Sequence, residues 1–411
     1  MSLIDSLSRQ RPQNADFLAV LNDEASVRMV EQFVAETVIP HALVRRGTIT
    51  DTVALLASMD RPPRQLMVDV STSAMPLSDL ISLADACPPG VSVLVVGERN
   101  DIGLFRDLLR MGIDDYVVKP LTVDLLHRVL DHNGQQAEPV QQTRTGKVVL
   151  CMGTRGGVGT STVAANIAWR LANDQERRIA VIDLDPFGGP LAVLLGAKPA
   201  TGLQDLLKNI NRLDPNYVER SFVPVGRRLF LLGAGHDLDD EDGEIPVEPL
   251  TQLLGTLKKH FHYVILDLAG RGGVLATAMV GLAESIVLVT EPSVFAARET
   301  VRLTGLVDRR ETKAPLLLVV NNPHAAGRSE LGVPDFEDAI GRRPSHVLPF
   351  DRDTAGRAEN LGPPAVAGRG PLAIGLRALA DDLAGRRAET SVRHPLLARL
   401  PARIQTLFHR P

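Results

Sequence analysis

Short blocks of consecutive apolar residues alternate along this chain with stretches whose apolar positions recur at helical spacing. In the first part the blocks are Phe17–Leu21, 66–70 around Asp69, 91–96, and Asp115–Val118 followed by Lys119 and Pro120. Helical patterns lie between them, for example over 26–36 and 102–111. Strands separated by helices predict a parallel sheet covered on both faces. Residues 132–146 are polar, rich in Gln, Gly and Pro, and read as a linker. A longer alternation follows, with apolar blocks at 148–152, 179–182, 229–232, 263–266, 286–290 and 316–320. Blocks without polar alternation suit strands buried on both faces. The acidic run 237–244 reads as a solvated loop, and no internal repeat is seen. The expected organisation is a first domain over 1–131, the linker 132–146, a second domain over 147–388 and a tail over 389–411.

Composition narrows the class without naming it. A chain of 411 residues is long enough for two cores, and 44% hydrophobic with 23% charged residues is a globular balance. The net charge of -4 gives no overall attraction to nucleic acid or anionic membrane, and 4% aromatic residues argue against base stacking as a main activity. The two cysteines, Cys87 and Cys151, lie in apolar segments without metal spacing, which fits a reduced cytoplasmic protein. The amino terminus lacks the apolar core of a signal peptide, and no run approaches the ~18 apolar residues of a membrane span.

The chemistry concentrates at Gly153-Thr154-Arg155-Gly156-Gly157-Val158-Gly159-Thr160-Ser161-Thr162, placed after one predicted strand and opening a helix. Glycines at such a junction turn backbone N–H groups toward an anion, and the helix N-terminus adds partial positive charge. Ser161 stands where a Mg2+-coordinating hydroxyl would be. Taken alone the segment also reads as a tight turn with no ligand. Two further predicted strands end in carboxylates, one in Asp183 and Asp185 and the other in Asp267. Acidic residues at the carboxyl ends of parallel strands face the same crevice as the loop.

These residues resemble the MinD/ParA superfamily of deviant Walker ATPases, whose loop reads K-G-G-x-G-K-[ST]-[ST]. The resemblance implies ATP or ADP with Mg2+ as cofactors, a loop site over Gly156, Gly157, Val158, Gly159, Thr160, Ser161 and Thr162, and a homodimer. It makes Arg155 the counterpart of the signature lysine, Ser161 the Mg2+ ligand, Asp185 the carboxylate that positions water, and Asp183 and Asp267 metal-site carboxylates. Asn321 and Pro349 match positions near the base. Thr160 departs from the family by replacing the P-loop lysine. Hydrogen bonds to charged groups are worth ~1.5–3 kcal/mol, so this loss implies roughly 10- to 150-fold weaker binding and feeble or absent hydrolysis.

The first domain resembles a response-regulator receiver. Asp69 matches its phosphoacceptor, Lys119-Pro120 its Lys-Pro signature, and Asp23 its acidic cluster, with Asn22 in place of one carboxylate and Gly97 in place of the switch hydroxyl. A damaged Mg2+ site favours Asp69 and Lys119 as a relic pair over regulated phosphorylation. The implied fold is α/β, a receiver-like (flavodoxin-like) doubly wound domain followed by a larger, mostly parallel P-loop NTPase domain. This domain order with an Arg-Gly-Gly loop resembles the TadZ/CpaE pilus assembly family. That likeness implies a factor that localises the Flp/Tad pilus secretion ATPase and other Tad machinery, at the cell pole or on the inner membrane, with no specific nucleic acid partner. Leu397, Leu400, Ile404, Leu407 and Phe408 give the tail an apolar stripe broken by Pro401, which fits packing on the protein or on a partner better than membrane attachment. The competing expectations are a scaffold that no longer binds nucleotide, a septum- or DNA-partition ATPase, and a two-component regulator with an ATPase output.

Overall fold

A computed structural model describes residues 15–37, 39, 41–59, 61–132, 145–185, 189–199, 201–212, 215–233, 245–268, 272–310, 312–322 and 331–386. Most of the expected linker, the acidic run 237–244 and the tail 389–411 lie outside the described residues.

The first sheet contains β1 (Phe17–Leu21), β2 (Ala42–Arg46), β3 (Gln65–Asp69), β4 (Ser92–Gly97) and β5 (Asp115–Val118), ordered β2-β1-β3-β4-β5 and parallel throughout. Alternating side chains of each strand feed two apolar cores, one on each face; Leu18 and Val20 of β1 join one, Phe17, Ala19 and Leu21 the other. β2 was not expected from the sequence. It is an edge strand, half-buried and then exposed at Arg45 and Arg46, so it carries no continuous apolar block. The helix after it, Ile49–Ser58, is fixed by a reciprocal cap between Thr48 and Asp51.

The second sheet contains β6 (Lys147–Gly153), β7 (Ile179–Asp183), β8 (Val223–Pro224), β9 (Leu229–Gly233), β10 (Tyr263–Asp267), β11 (Ser285–Thr290), β12 (Leu316–Asn321) and β13 (His346–Leu348). Their order is β13-β12-β11-β6-β10-β7-β9-β8, with only β8 antiparallel to its neighbour among the described pairs. Central strands are buried on both faces: Val148, Leu150 and Met152 of β6 enter one core, Val149 and Cys151 the other. The two short edge strands β8 and β13 were not legible as apolar blocks. β6, β7 and β10 lie side by side, and in register Asp267 stands opposite both Asp183 and Cys151. The sheet order therefore brings together carboxylates that are far apart in sequence.

The domains meet at the opposite, amino ends of these strands. A Cβ on Gly90 would sit 2.1 Å from the Lys259 carbonyl oxygen, so the two backbones are in direct contact there. Arg177 pairs with Asp85 at 2.9 Å. His262 accepts the Arg178 N–H at Nδ1 (3.0 Å), and its Nε2 donates to the Cys87 carbonyl at 3.1 Å. Burial and the nearby Arg177 and Arg228 charges outweigh these bonds and hold the His262 ring neutral, with a pKa pulled down to about 3.

Candidate nucleotide site

The loop leaves β6 at Gly153, where a Cβ would lie 2.2 Å from the Thr160 Oγ1, and enters the helix Thr160–Asn173. Gly157 and Gly159 hold φ of 79° and 94°, left-handed conformations that favour glycine. Among the described residues no atoms stand within 4 Å of a Cβ built on Gly156 or Gly157, so these residues leave the loop backbone open to an approaching group. Thr154 is buried beneath it, in a chain of hydroxyls through Thr290 (3.2 Å) to Thr300 (2.9 Å).

The loop borders a cleft of about 480 Å³ whose lining includes Arg155, Gly156, Gly157, Gly159, Thr160, Ser161 and Thr162 with Asp183, Asp185 and Asp267. Asp183 accepts the amides of Asp185 (3.1 Å) and Leu191 (3.4 Å), and a Cβ on Gly189 would collide with its carboxylate at 2.2 Å. Burial, opposed by these bonds and supported by the Asp185 charge, raises the Asp183 pKa. Asp267, bonded by the Ser161 hydroxyl, is pushed up to about 7 by burial, with the Asp183 and Asp185 charges adding to the effect. Hard oxygen ligands and a surplus of negative charge suit Mg2+, which takes few protein ligands and keeps several waters. Ser161, Asp183 and Asp267 would hold such an ion, whose charge would offset that of the carboxylates.

The raised Asp267 pKa has a consequence for stability. An unfolded Asp releases its proton near 3.8, whereas the folded protein holds it to about 7, so the folded state carries more protons between these values. Stability must therefore fall as pH rises through that window, by on the order of a few kcal/mol. Thermal unfolding at pH 5 and pH 8 is expected to show a lower melting temperature at pH 8, and Asp267→Asn is expected to remove most of the difference. An unchanged difference in the variant would assign it elsewhere.

Arg155 also borders the cleft, but its guanidinium is held within its own chain. Nη2 donates to the Glu291 Oε2 at 2.9 Å, and Nε lies 2.7 Å from Oε1. Glu291 follows β11 and is buried. The Asn321 Nδ2 donates to the Val158 carbonyl at 2.8 Å and would lie 2.6 Å from a Cβ on Gly159, so Asn321 braces the loop from β12. The Val158 side chain is buried in the core rather than facing the cleft. Pro349 lies outside the cleft lining, next to the helix Pro371–Leu383 at Gly375. Glu359, from the helix Arg352–Leu361, lines the cleft without having been expected to.

Residues 144–330 match the ParA family model, described as NUBPL iron-transfer P-loop NTPase. Over these residues the second domain is similar to the ParA/MinD superfamily of P-loop NTPases. Septum site-determining protein MinD of Bacillus subtilis is 25% identical over 270 residues, covering 64% of this chain and 98% of its own length. An iron-sulfur cluster carrier protein of Aquifex aeolicus is 26% identical over 240 residues, covering 52% of this chain and 60% of that protein. Among solved structures, a ParA family ATPase of Chlorobium tepidum superposes with a TM-score of 0.52 at 21% identity, covering 58% of this chain and 98% of that one. MinD of Pyrococcus horikoshii, complexed with Mg-ADP, gives 0.50 at 21% identity, covering 60% of this chain and 99% of that one. These likenesses establish the α/β fold of the ParA/MinD domain. Among the described residues no helix is long and apolar enough to cross a membrane.

In the first domain, Asp23, Asp69 and Lys119 also lie together. Lys119 Nζ lies 2.6 Å from the Asp23 Oδ2 and 2.5 Å from the Asp69 Oδ2. Asp69 is buried and further accepts the amides of Asn22 (3.0 Å) and Ser71 (2.9 Å). Burial opposes ionisation of Asp23, but hydrogen bonds from Lys119 and Ser26 prevail and hold its pKa at about 2. Tyr116 fills the space over Gly97: a Cβ there would meet its Oη at 2.3 Å, and that hydroxyl donates to the Arg99 carbonyl at 2.9 Å.

Proposed function

We propose that this protein is a nucleotide-responsive positioning factor of the TadZ/CpaE type, which places the Flp/Tad pilus secretion ATPase and its partner proteins through a ParA/MinD-like domain that binds ATP or ADP with Mg2+ and hydrolyses it slowly or not at all. The observation that carries this reading is the open glycine loop facing the Asp183, Asp185 and Asp267 carboxylates while Thr160 occupies the place of the lysine. The Mg-ADP complex of the archaeal MinD supports the choice of cofactor. Nucleotide bound along Gly156 to Thr162, with Mg2+ on Ser161, would bias a homodimer formed across the same face. Asp185 would hold water for whatever hydrolysis occurs. Asp23, Asp69 and Lys119 serve as a structural relic in a docking domain, and association with the inner membrane, where it occurs, is peripheral.

In cells that assemble such pili, deleting the gene is expected to abolish the pili or to displace them from their usual position. Normal pili at the normal place would overturn the pilus assignment. Thr160→Lys tests the chemistry separately. Restoring the cation is expected to tighten Mg-ATP binding by roughly 10- to 150-fold and to give measurable phosphate release. A variant no tighter than the wild type would mean that the loop is not a phosphate site.

A further inference from the structure

A second cavity, of about 270 Å³, lies where the two domains meet, and it shares no lining residue with the nucleotide cleft. Its walls come from both sides of the junction. The receiver-like domain contributes Arg61, Arg64 and Val91, and the ParA/MinD domain Arg178, Glu219 and Lys259. Among the described lining residues, four cations thus face one carboxylate, and His260 is drawn toward neutrality by burial and by the Arg178 charge.

The ParA/MinD side also has an aromatic wall. Phe222, Phe230 and Phe261 border the cavity, with ring centroids of Phe222 and Phe230 at 5.4 and 5.7 Å from Phe261. The Arg178 guanidinium lies 4.7 Å from the Phe230 centroid and 5.2 Å from that of Phe261. It is only 8% exposed, its Nη2 donates to Glu219 at 3.0 Å, and its Nε has no hydrogen-bond partner. Burying a guanidinium this deeply opposes its charge, and Glu219 answers only part of that penalty. Arg61 also lies 3.9 Å from Glu219, and Arg64 lies 3.8 Å from Asp16, so Lys259 and the unmatched remainder of the arginine charge attract an anion, while the phenylalanine side chains favour an apolar body. Ligand pockets favour domain junctions and run to ~300–1,000 Å³; at about 270 Å³ this cavity falls just below that range and suits only a small molecule of one or two rings.

We propose that this interdomain cavity binds a small amphipathic organic anion, its flat ring against the phenylalanines and its carboxylate or phosphate toward Arg61, Arg64 and Lys259. Such a ligand touches both domains and would brace their junction. The site also lies at the amino ends of the strands that carry the nucleotide-site carboxylates. Arg178 immediately precedes β7, which ends in Asp183, and Phe261 shortly precedes β10, which ends in Asp267. The proposal does not depend on nucleotide binding at the other cleft.

The test uses 1-anilinonaphthalene-8-sulfonate, an aromatic anion whose fluorescence reports binding, titrated into the full-length protein with saturating Mg-ATP present. One saturable site is expected. Arg64→Glu combined with Lys259→Glu should weaken it tenfold or more, and Val91→Trp, which fills the cavity from the other wall, should abolish it. Thermal unfolding of each variant confirms the fold, and the tryptophan variant decides the matter alone if the charge variant fails to fold. Displacement of the probe by phenyl phosphate but not benzoate would assign the head group as phosphate, and the reverse as carboxylate. Wild-type affinity in a folded variant, binding without saturation, or displacement by neither compound would overturn the proposal.

Discussion

Arg155→Ala is expected to weaken Mg-ATP binding by roughly 10- to 150-fold, the range for removing a hydrogen bond to a charged group. Arg155 is the one cation among the described residues that line the cleft, which it shares with Asp183, Asp185, Asp267 and Glu359. With threonine at the lysine position, no other side chain among the described lining residues offers positive charge to a phosphate. Glu291 both fixes the guanidinium and competes for it, through contacts at 2.7 and 2.9 Å. Glu291→Gln is therefore expected to shift affinity the other way, toward tighter binding, because the arginine keeps a neutral anchor while its charge is released. Titration calorimetry on both variants checks the pair of signs. Equal affinity in wild type and Arg155→Ala would show that the arginine does not substitute for the missing lysine.

Lys119→Ala is expected to destabilise the receiver-like domain by about 3–5 kcal/mol, because it leaves the buried Asp69 carboxylate without its cation. The double variant Asp69→Asn with Lys119→Ala is expected to recover most of that loss, since the uncompensated charge is gone. Urea unfolding of the full chain, followed by a probe in the first domain, measures both. The pH dependence has a definite sign on the Asp23 side. Its folded pKa lies near 2, below the ordinary 3.8, so its contribution is present above 3.8 and is lost only as pH falls through about 2. A destabilisation below about 1 kcal/mol for Lys119→Ala would fall in the range of an exposed ion pair and remove the buried-pair account.

The sequence exposed the parts of this structure that depend on local pattern. Central strands such as β6 and β10 are buried on both faces and so appear as unbroken apolar blocks. The edge strand β2, ending in exposed arginines, and the short β8 and β13 lack that signal. At the candidate site, the loop glycines and the strand-terminal carboxylates could be placed together from the sequence because a strand-loop-helix junction in a parallel sheet puts them at one edge. Glu291 and Glu359 were not, because Glu291 pairs with Arg155 from behind β11, Glu359 lines the cleft from a separate helix, and neither carries a motif. The brace from Asn321 to the Val158 carbonyl and the position of Pro349 beside Gly375 depend on how β12 and the last helix pack, which no local pattern shows. In the first domain the Asp23, Asp69 and Lys119 constellation was readable from spacing, but the filling of the space over Gly97 by Tyr116 depends on the packing of β4 against β5.

Without the P-loop lysine, nucleotide binding must rest on the loop backbone, Arg155 and Mg2+, and calorimetric titration of ATP and ADP into the full-length protein, with and without Mg2+, measures whether these suffice. The carboxylate-rich cleft predicts micromolar binding with Mg2+ and a large loss of affinity without it, since the metal must neutralise charge that lysine would otherwise screen. No heat up to millimolar nucleotide in the presence of Mg2+ would contradict the claim and leave a ParA/MinD-like scaffold that acts through its surfaces alone.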